Sequence, residues 1–315
     1  MLKTLTSHGD SAAVLDPQRP VGLGRPLKLR REDTWIFGNT LALTLFAGLG
    51  VLVTWDAWSD IARIAWKDEE SSQVLLAPVI ALWLVWVRQG RLRRCRPIGQ
   101  WYGAAILALG ALFYFIGDLR LIQSMWHAGA ILVLLGCLVC VLGKDVLFQL
   151  SPAVAVLVFM VPVPGRVRQP IAIPMEVITA QAAQFCCEIV GMPVERLGNI
   201  LTINGEQVKI AEACNGLRMV FALTLVSYAF AFSSPLRGYV RLLVLALSPV
   251  LAVACNVLRL VPTVWFFGYH KAVADQFHDI SGWLMLPISF GMLLAIIYVL
   301  RWALIPVTSF VLAYD

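Results

Sequence analysis

Four side chains in the second half of the chain are of types that carry out covalent chemistry on a peptide or ester bond. Cys214 lies in the run 212–218, where an apolar segment begins, and Arg218 follows it one helical turn later. Arg259 and His278 come further along, where hydropathy places the same side of a membrane. A thiolate is favoured near a helix N-terminus and beside cations, and imidazole takes up and returns a proton near neutral pH. Together these groups indicate nucleophilic catalysis with acid–base assistance.

The neighbours of Cys214 favour a helix start at this point. Asn215 and Gly216 are poor helix formers that suit such a position, and Arg218 at i+4 returns to the face of Cys214. The alternative is a small packing residue within a helical bundle, which is our interpretation of the cysteines inside other apolar runs.

Arg259 stands inside the apolar run 242–267. An arginine within a span costs roughly 2.5–3.5 kcal/mol on insertion scales, which favours a position facing a polar cavity near the outer end. Asn256, one turn earlier, shares its face and is predicted to hold the guanidinium. The predicted role is an oxyanion clamp, and the alternative is an arginine that snorkels to the interface.

His278 is predicted to lie in the last outer loop as an acid–base group. His270 is a rival in the same loop, for which we prefer an interfacial position beside Tyr269. His127 is interpreted as structural.

The composition requires a lipid solvent. Of 315 residues, 59% are hydrophobic and 14% are charged, whereas soluble proteins carry roughly 25% charged residues. Residues 1–34 are polar and are predicted to form a disordered cytoplasmic tail, and residues 35–315 a single transmembrane domain. The net charge of +6 comes from arginines in short loops and does not indicate nucleic-acid binding. The cysteines lack metal or disulfide spacing, and no His-Glu-x-x-His motif, P-loop or dinucleotide glycine fingerprint appears. Neither a metal nor a cofactor is therefore expected.

Hydropathy predicts about eight membrane-spanning helices, each needing about 20 mostly apolar residues. The predicted spans are Trp35–Trp55, Gln73–Val87, Trp101–Gly117, Met125–Gly143, Val146–Val163, Leu217–Phe232, Val240–Phe267 and Trp283–Leu304.

Short loops set the predicted orientation, because basic residues stay on the cytoplasmic side. Arg88, Lys144, Arg237 and Arg241 all fall on one side, whereas the first outer loop is acidic from Asp56 to Glu70. Both termini are therefore predicted to be cytoplasmic, in a multi-pass protein of a bacterial inner membrane with its candidate site on the periplasmic face.

The long segment 165–213 then lies outside. An apolar stripe at Met175, Ile178, Ala182, Phe185 and Ile189 predicts an amphipathic helix in the outer interface. Asn204-Gly205 between two short apolar runs predicts a β-hairpin that leads to Cys214. The predicted fold class is an all-α polytopic membrane protein with this helix and a small hairpin.

Three motifs in order resemble the exosortase/archaeosortase family of membrane transpeptidases. They are the run 213–218, the pair Asn256 and Arg259, and the stretch from His278 to Trp283, within an exosortase-like core over residues 150–298. The resemblance implies that Cys214 is the nucleophile, Arg259 the essential cation and His278 the acid–base group, with Arg218, Asn215 and Asn256 in support.

The resemblance also implies the partners. Family substrates are secreted proteins that end in a short motif, an apolar helix and a basic tail, many with a Pro-Glu-Pro (PEP-CTERM) signal. The acyl group passes to an amine acceptor, and the family often accompanies exopolysaccharide production. Two departures are Asn215, where members commonly have serine, and Ser71-Ser72-Gln73, where many have Ser-His-Gly.

Two alternatives remain from the residues. One is a non-enzymatic transporter or polysaccharide export component in which Arg259 lines a polar path. The other is a cysteine protease, because residues do not distinguish water from an amine as the acceptor.

Overall fold

A computed structural model describes residues 37–67, 74–92, 95, 100–210 and 216–302. This part of the chain is mainly helical and contains one small sheet. The helices are α1 (Phe37–Val53), α2 (Trp55–Lys67), α3 (Leu76–Val87), α4 (Gln89–Leu92), α5 (Gln100–Leu119), α6 (Gln123–Leu142), α7 (Asp145–Gln149), α8 (Ser151–Val156), α9 (Gly165–Ile189), α10 (Gly216–Ser233), α11 (Gly238–Tyr269) and α12 (Lys271–Trp302). The strands are β1 (Glu195–Leu197), β2 (Ile200–Ile203) and β3 (Glu206–Lys209).

Five helices in the described ranges are long and apolar enough to cross a membrane. They are Trp101–Leu119, Gln123–Leu142, Gly216–Ser233, Gly238–Tyr269 and Ile280–Trp302. Two bent pairs raise the number to seven if each pair is a single span: Leu41–Val53 with Trp55–Lys67, bent by 77°, and Ser151–Met160 with Gly165–Ile189, bent by 91°. The polytopic helical fold agrees with the prediction, but the count of eight spans is not reproduced.

The predicted spans that differ most are 73–87 and 146–163. α3 has 12 residues, which is about 18 Å of helix and short of the roughly 30 Å hydrocarbon core. The continuous helix predicted over Val146–Val163 is wrong, because the chain there forms α7, α8 and a 3₁₀ turn at Leu157–Met160. Prolines 152, 162 and 164 interrupt regular hydrogen bonding, which a hydropathy average does not register.

Two predicted outer loops are helical instead. Asp56 and Asp60 lie in α2, an amphipathic helix that buries Ala57, Asp60 and Ile61. The backbone at His278 lies in the second turn of α12 rather than in a loop. These segments were predicted to be loops because they contain polar residues. Polar residues are also compatible with a helix that lies outside the hydrocarbon core, so polarity alone does not separate the two.

The sheet contains the predicted hairpin and one further strand. β2 pairs antiparallel with both β1 and β3, and the β2–β3 turn places Asn204 at φ 50° and Gly205 at φ 81°. Both angles lie in the left-handed region that a type I′ turn requires.

The sheet packs between α9 and α11 in one apolar cluster. Its buried members include Ala183 and Cys187 of α9, Leu201 of β2, and Val257 and Leu260 of α11. The stripe of α9 that is buried (Thr179, Ala180, Ala183 and Cys187) differs from the stripe predicted to be apolar. Ile178, Phe185 and Ile189 of that predicted stripe are exposed, as side chains facing lipid would be.

Candidate active site

Arg259 is buried on α11 and is held by Asn256. The Arg259 side chain is 8% exposed and that of Asn256 is 1% exposed. Nη2 of Arg259 donates a hydrogen bond to Oδ1 of Asn256 at 3.2 Å. The two residues are one turn apart on the helix, so the contact follows from the helical repeat.

Part of this polar pair has no partner among the residues that the structure describes. Within the described part of the chain, Nε of Arg259 and Nδ2 of Asn256 are buried and form no hydrogen bond. The guanidinium also forms no ion pair with a described carboxylate. A buried cation without compensation is costly, and ionisable groups retained at such cost in membrane proteins mark functional sites.

The pair lies in the C-terminal half of α11. Arg259 is about 31 Å along the axis from Gly238, the first residue of α11. That length matches the roughly 30 Å hydrocarbon thickness. The remaining turns of α11 carry the sheet, where Nδ2 of Asn204 donates to the backbone oxygen of Gly268 at 3.2 Å.

Gly216 brings the first motif to this pair. A Cβ atom on Gly216 would lie 3.1 Å from Nδ2 of Asn256, so the start of α10 and the asparagine amide are in contact. Cys214 and Asn215 fall in 211–215, outside the described residues, and their predicted roles stay predictions.

Gly282 brings the third motif to the same cation. A Cβ atom on Gly282 would lie 3.2 Å from Nη1 of Arg259. Position 278 is one turn earlier on α12 and therefore on the same helix face as Gly282. Residues 274, 281, 289 and 293, which repeat at helical spacing around this face, are buried. The side chain of His278 is not among those that the structure describes.

The chain that leads to residue 214 is anchored on the sheet. The backbone nitrogen of Ile210 donates to the oxygen of Asn199 at 3.0 Å, and Ile210 is fully buried. Glu176 of α9 accepts a hydrogen bond from Nδ2 of Asn199 at 2.8 Å. The two described residues next to 211–215 are thus Ile210, which packs with the sheet, and Gly216, which lies against Asn256.

The supporting residue Arg218 is half-buried in the first turn of α10. In the described ranges, no group of three or more His, Cys, Asp or Glu residues lies close enough to hold a metal ion. The arrangement around Arg259 offers cationic and amide N–H donors, which stabilise an oxyanion or bind a carboxylate.

Sequence reasoning did not anticipate two features. Gly216 and Gly282 were part of the motifs but were not predicted to touch the asparagine and the arginine. Asp60 was placed in a loop, whereas its Oδ2 lies 3.0 Å from Nε2 of the buried His127 and accepts from Gln123. The side chains of Asp60 and His127 therefore join α2 to α6.

The comparisons with known proteins agree with the motifs. A family model described as transmembrane exosortase matches residues 65–295. No curated protein and no solved structure matches the chain. Because the match spans more than half of the chain and includes all three motifs that meet around Arg259, the chain belongs to the transmembrane exosortase family.

Proposed function

We propose that this protein is a membrane-embedded cysteine transpeptidase that cleaves the C-terminal sorting signal of secreted proteins and transfers the acyl group to an amine. One observation carries the proposal. Three motifs that are far apart in sequence meet around a buried cation, with Gly216 against Asn256 and Gly282 against Arg259.

Chain geometry supports a role for Cys214 in this place. Residue 214 precedes Gly216 by two positions, and two residues span at most about 7 Å. Gly216 touches Asn256, which in turn binds Arg259. A thiol on this segment is therefore within reach of the guanidinium, whose positive charge favours the reactive thiolate.

The first half of the reaction forms a thioester. His278 accepts the thiol proton, and the sulfur of Cys214 attacks the carbonyl carbon of the scissile bond. Nε of Arg259 and Nδ2 of Asn256 donate to the oxyanion of the tetrahedral intermediate. When the carbon–nitrogen bond breaks, His278 returns the proton to the departing amine.

The second half releases the product. The acceptor amine attacks the thioester carbonyl and loses a proton to His278, and the thiolate of Cys214 leaves. Water takes the place of the amine in a hydrolytic side reaction, which gives a free carboxylate.

An apolar groove beside the site supports lateral entry of a substrate helix. The groove is about 660 Å³ in volume and is bounded by α9, α10 and α11, with Ala182, Val220 and Ala254 among its lining residues. Val257 and Leu258 also line it, and they are the chain neighbours of the Asn256–Arg259 pair. A helix lying there would bring the residues just beyond its end to the cation.

The distribution of charge supports a site on the outer face. Arg241 and Arg259 lie on the same helix about 27 Å apart, at opposite ends of the bilayer-spanning part. Arg88 and Arg237 share the end of Arg241, and basic residues collect on the cytoplasmic side. In our proposal the end of α12 is cytoplasmic, because α12 begins at the outer end of α11 and crosses back.

Co-expression with a tagged substrate tests the proposal. The substrate is a secreted protein of the same genome that ends in a short motif, an apolar helix and an arginine-rich tail. Cys214→Ala, Arg259→Ala and His278→Ala variants are expected to leave it uncleaved, whereas Cys140→Ala, a control on α6, is expected to process it. Full processing by Cys214→Ala would exclude the thiol mechanism.

Mass spectrometry of the new C-terminus separates transfer from hydrolysis. An added amine-linked group supports transpeptidation, whereas a free carboxylate as the only product would make the enzyme a protease.

A further inference from the structure

Arg88 and Arg241 lie against the ring of Phe232, near the end of α11 that is far from Arg259. The Cζ atom of Arg88 lies 6.0 Å from the ring centroid of Phe232, and that of Arg241 lies 5.5 Å from the same centroid. Arg88 follows the last residue of α3, whereas Arg241 is in the first turn of α11. The tertiary fold therefore brings these two cations together.

Each guanidinium makes one hydrogen bond to the C-terminal end of α10. Nη2 of Arg88 donates to the backbone oxygen of Phe232 at 2.9 Å, and Nη2 of Arg241 donates to that of Ser234 at 3.5 Å. An arginine has five N–H donors, so most of this capacity is unused among the described residues. Nε of Arg241 is buried without a hydrogen-bond partner among the described residues.

Among the described residues, no carboxylate compensates the charges of the pair. Neither Arg88 nor Arg241 forms an ion pair with a carboxylate in the described ranges. Burial, followed by the charges of Arg91 and Arg241, lowers the pKa of Arg88 from its ordinary value. The cations thus repel one another, and an anion between them would relieve that repulsion and use the free donors.

Aromatic residues place this arginine pair at the depth of lipid headgroups. The rings of Trp83 and Trp86 on α3 have centroids 5.2 Å apart and are tilted by 41°, and these residues are 48% and 60% exposed. Tyr239 is exposed beside Arg241. Exposed tryptophan and tyrosine rings mark the membrane–water interface. Nε1 of Trp83 donates to Oγ of Ser233, the last residue of α10 and the chain neighbour of Phe232.

We infer that Arg88 and Arg241 bind the phosphate of an anionic phospholipid headgroup. The lipid lies beside α3, with its chains against the exposed faces of Trp83 and Trp86 and its phosphate between the guanidiniums. Arginines that only fulfil the positive-inside rule extend into water, whereas these two are half-buried. This site is separate from the one around Arg259 and does not depend on the proposed function.

The test measures lipid retained by the full-length protein in a neutral detergent. Native mass spectrometry is expected to show bound phosphatidylglycerol, and phosphatidylglycerol is expected to raise the thermal unfolding midpoint more than phosphatidylcholine does. The Arg88→Gln/Arg241→Gln variant is expected to lose retention by about five-fold for each arginine, since a basic residue at a membrane surface contributes about 1 kcal/mol. Arg301→Gln, which removes an exposed arginine near the end of α12, is the matched control and is expected to retain the lipid.

Three results would overturn the inference. They are equal retention by the double variant, equal stabilisation by phosphatidylcholine, and a matching shift with inorganic phosphate alone, which would indicate a soluble anion. If the double variant does not fold, Arg88→Lys/Arg241→Lys preserves both charges and is expected to keep the preference for phosphatidylglycerol. The comparison of the two lipids on the wild-type protein decides the question in either case.

Discussion

The α5–α6 pair and the α10–α12 group both place glycines where helices meet, but these glycines face different atoms. In the first region, a Cβ on Gly129 would collide with the backbone of Tyr114, and one on Gly110 would meet the backbone of Val133. In the second region, Gly216 and Gly282 face the ends of polar side chains.

The difference separates packing from function. Small residues between membrane helices let two backbones approach closely, which explains the glycines of α5 and α6. Gly216 and Gly282 instead leave room beside the Asn256 amide and the Arg259 guanidinium. A side chain there would press on the donors without preventing the helices from packing.

The largest effect is expected from removing the cation. Arg259→Gln should lower the cleavage rate of the tagged substrate about 100-fold or more, as loss of one oxyanion donor does. The free energy of unfolding should stay the same or rise, because the variant no longer buries an unpaired charge. Cleavage assays with thermal unfolding of the same preparation check both. A parallel loss of stability would indicate a structural role for the arginine.

A larger side chain in the glycine-packed pair should have the opposite profile. Gly129→Val is expected to lower the free energy of unfolding by about 3 kcal/mol, since overpacking a tight contact costs 1–3 kcal/mol. The cleavage rate per folded molecule should not change. Denaturation in mixed micelles measures the free energy of unfolding of each variant. Gly48→Val in α1 is the control, because a Cβ there would meet nothing within 4 Å. A normal unfolding midpoint for Gly129→Val would contradict the packing role.

Gly282→Ala provides the sharpest comparison because it adds a single methyl group. The new Cβ would lie 3.2 Å from Nη1 of Arg259, and we expect the guanidinium to shift and cleavage to slow about ten-fold, since misplacement of catalytic groups is costly. Stability should rise slightly, because alanine is a better helix former than glycine.

Gly291→Ala is the matched control on the same helix. No atom lies within 4 Å of its added Cβ, so it should gain the same stability and keep its full cleavage rate. Identical rates for the two alanine variants would rule out a role for the space beside Arg259.

The smallest effect is expected in the apolar groove. Ala254→Trp would fill part of it and should raise KM several-fold with little change in kcat, as loss of uniform binding does. Val299→Trp, at an exposed position on α12, is the control. An unchanged KM for Ala254→Trp would place the substrate helix elsewhere.

Local contacts were predictable because helices and turns repeat at fixed intervals. The spacing of Asn256 and Arg259 predicted their contact, and the structure has that hydrogen bond. Asn204-Gly205 predicted the hairpin, whose turn has the expected positive φ angles. The apolar composition and the three ordered motifs indicated a membrane protein of the exosortase family, which the family match confirms.

The sequence by itself thus determined that the protein lies in a membrane, which family it belongs to, and which residues contact each other within one helix or turn. Only the tertiary structure decided that Gly216 and Gly282 face the donors of one buried pair, that α2 is fastened to α6 through Asp60 and His127, and that the chain bends after Met160. Contacts between separate helices depend on their depth and crossing in three dimensions. A one-dimensional hydropathy pattern carries neither quantity.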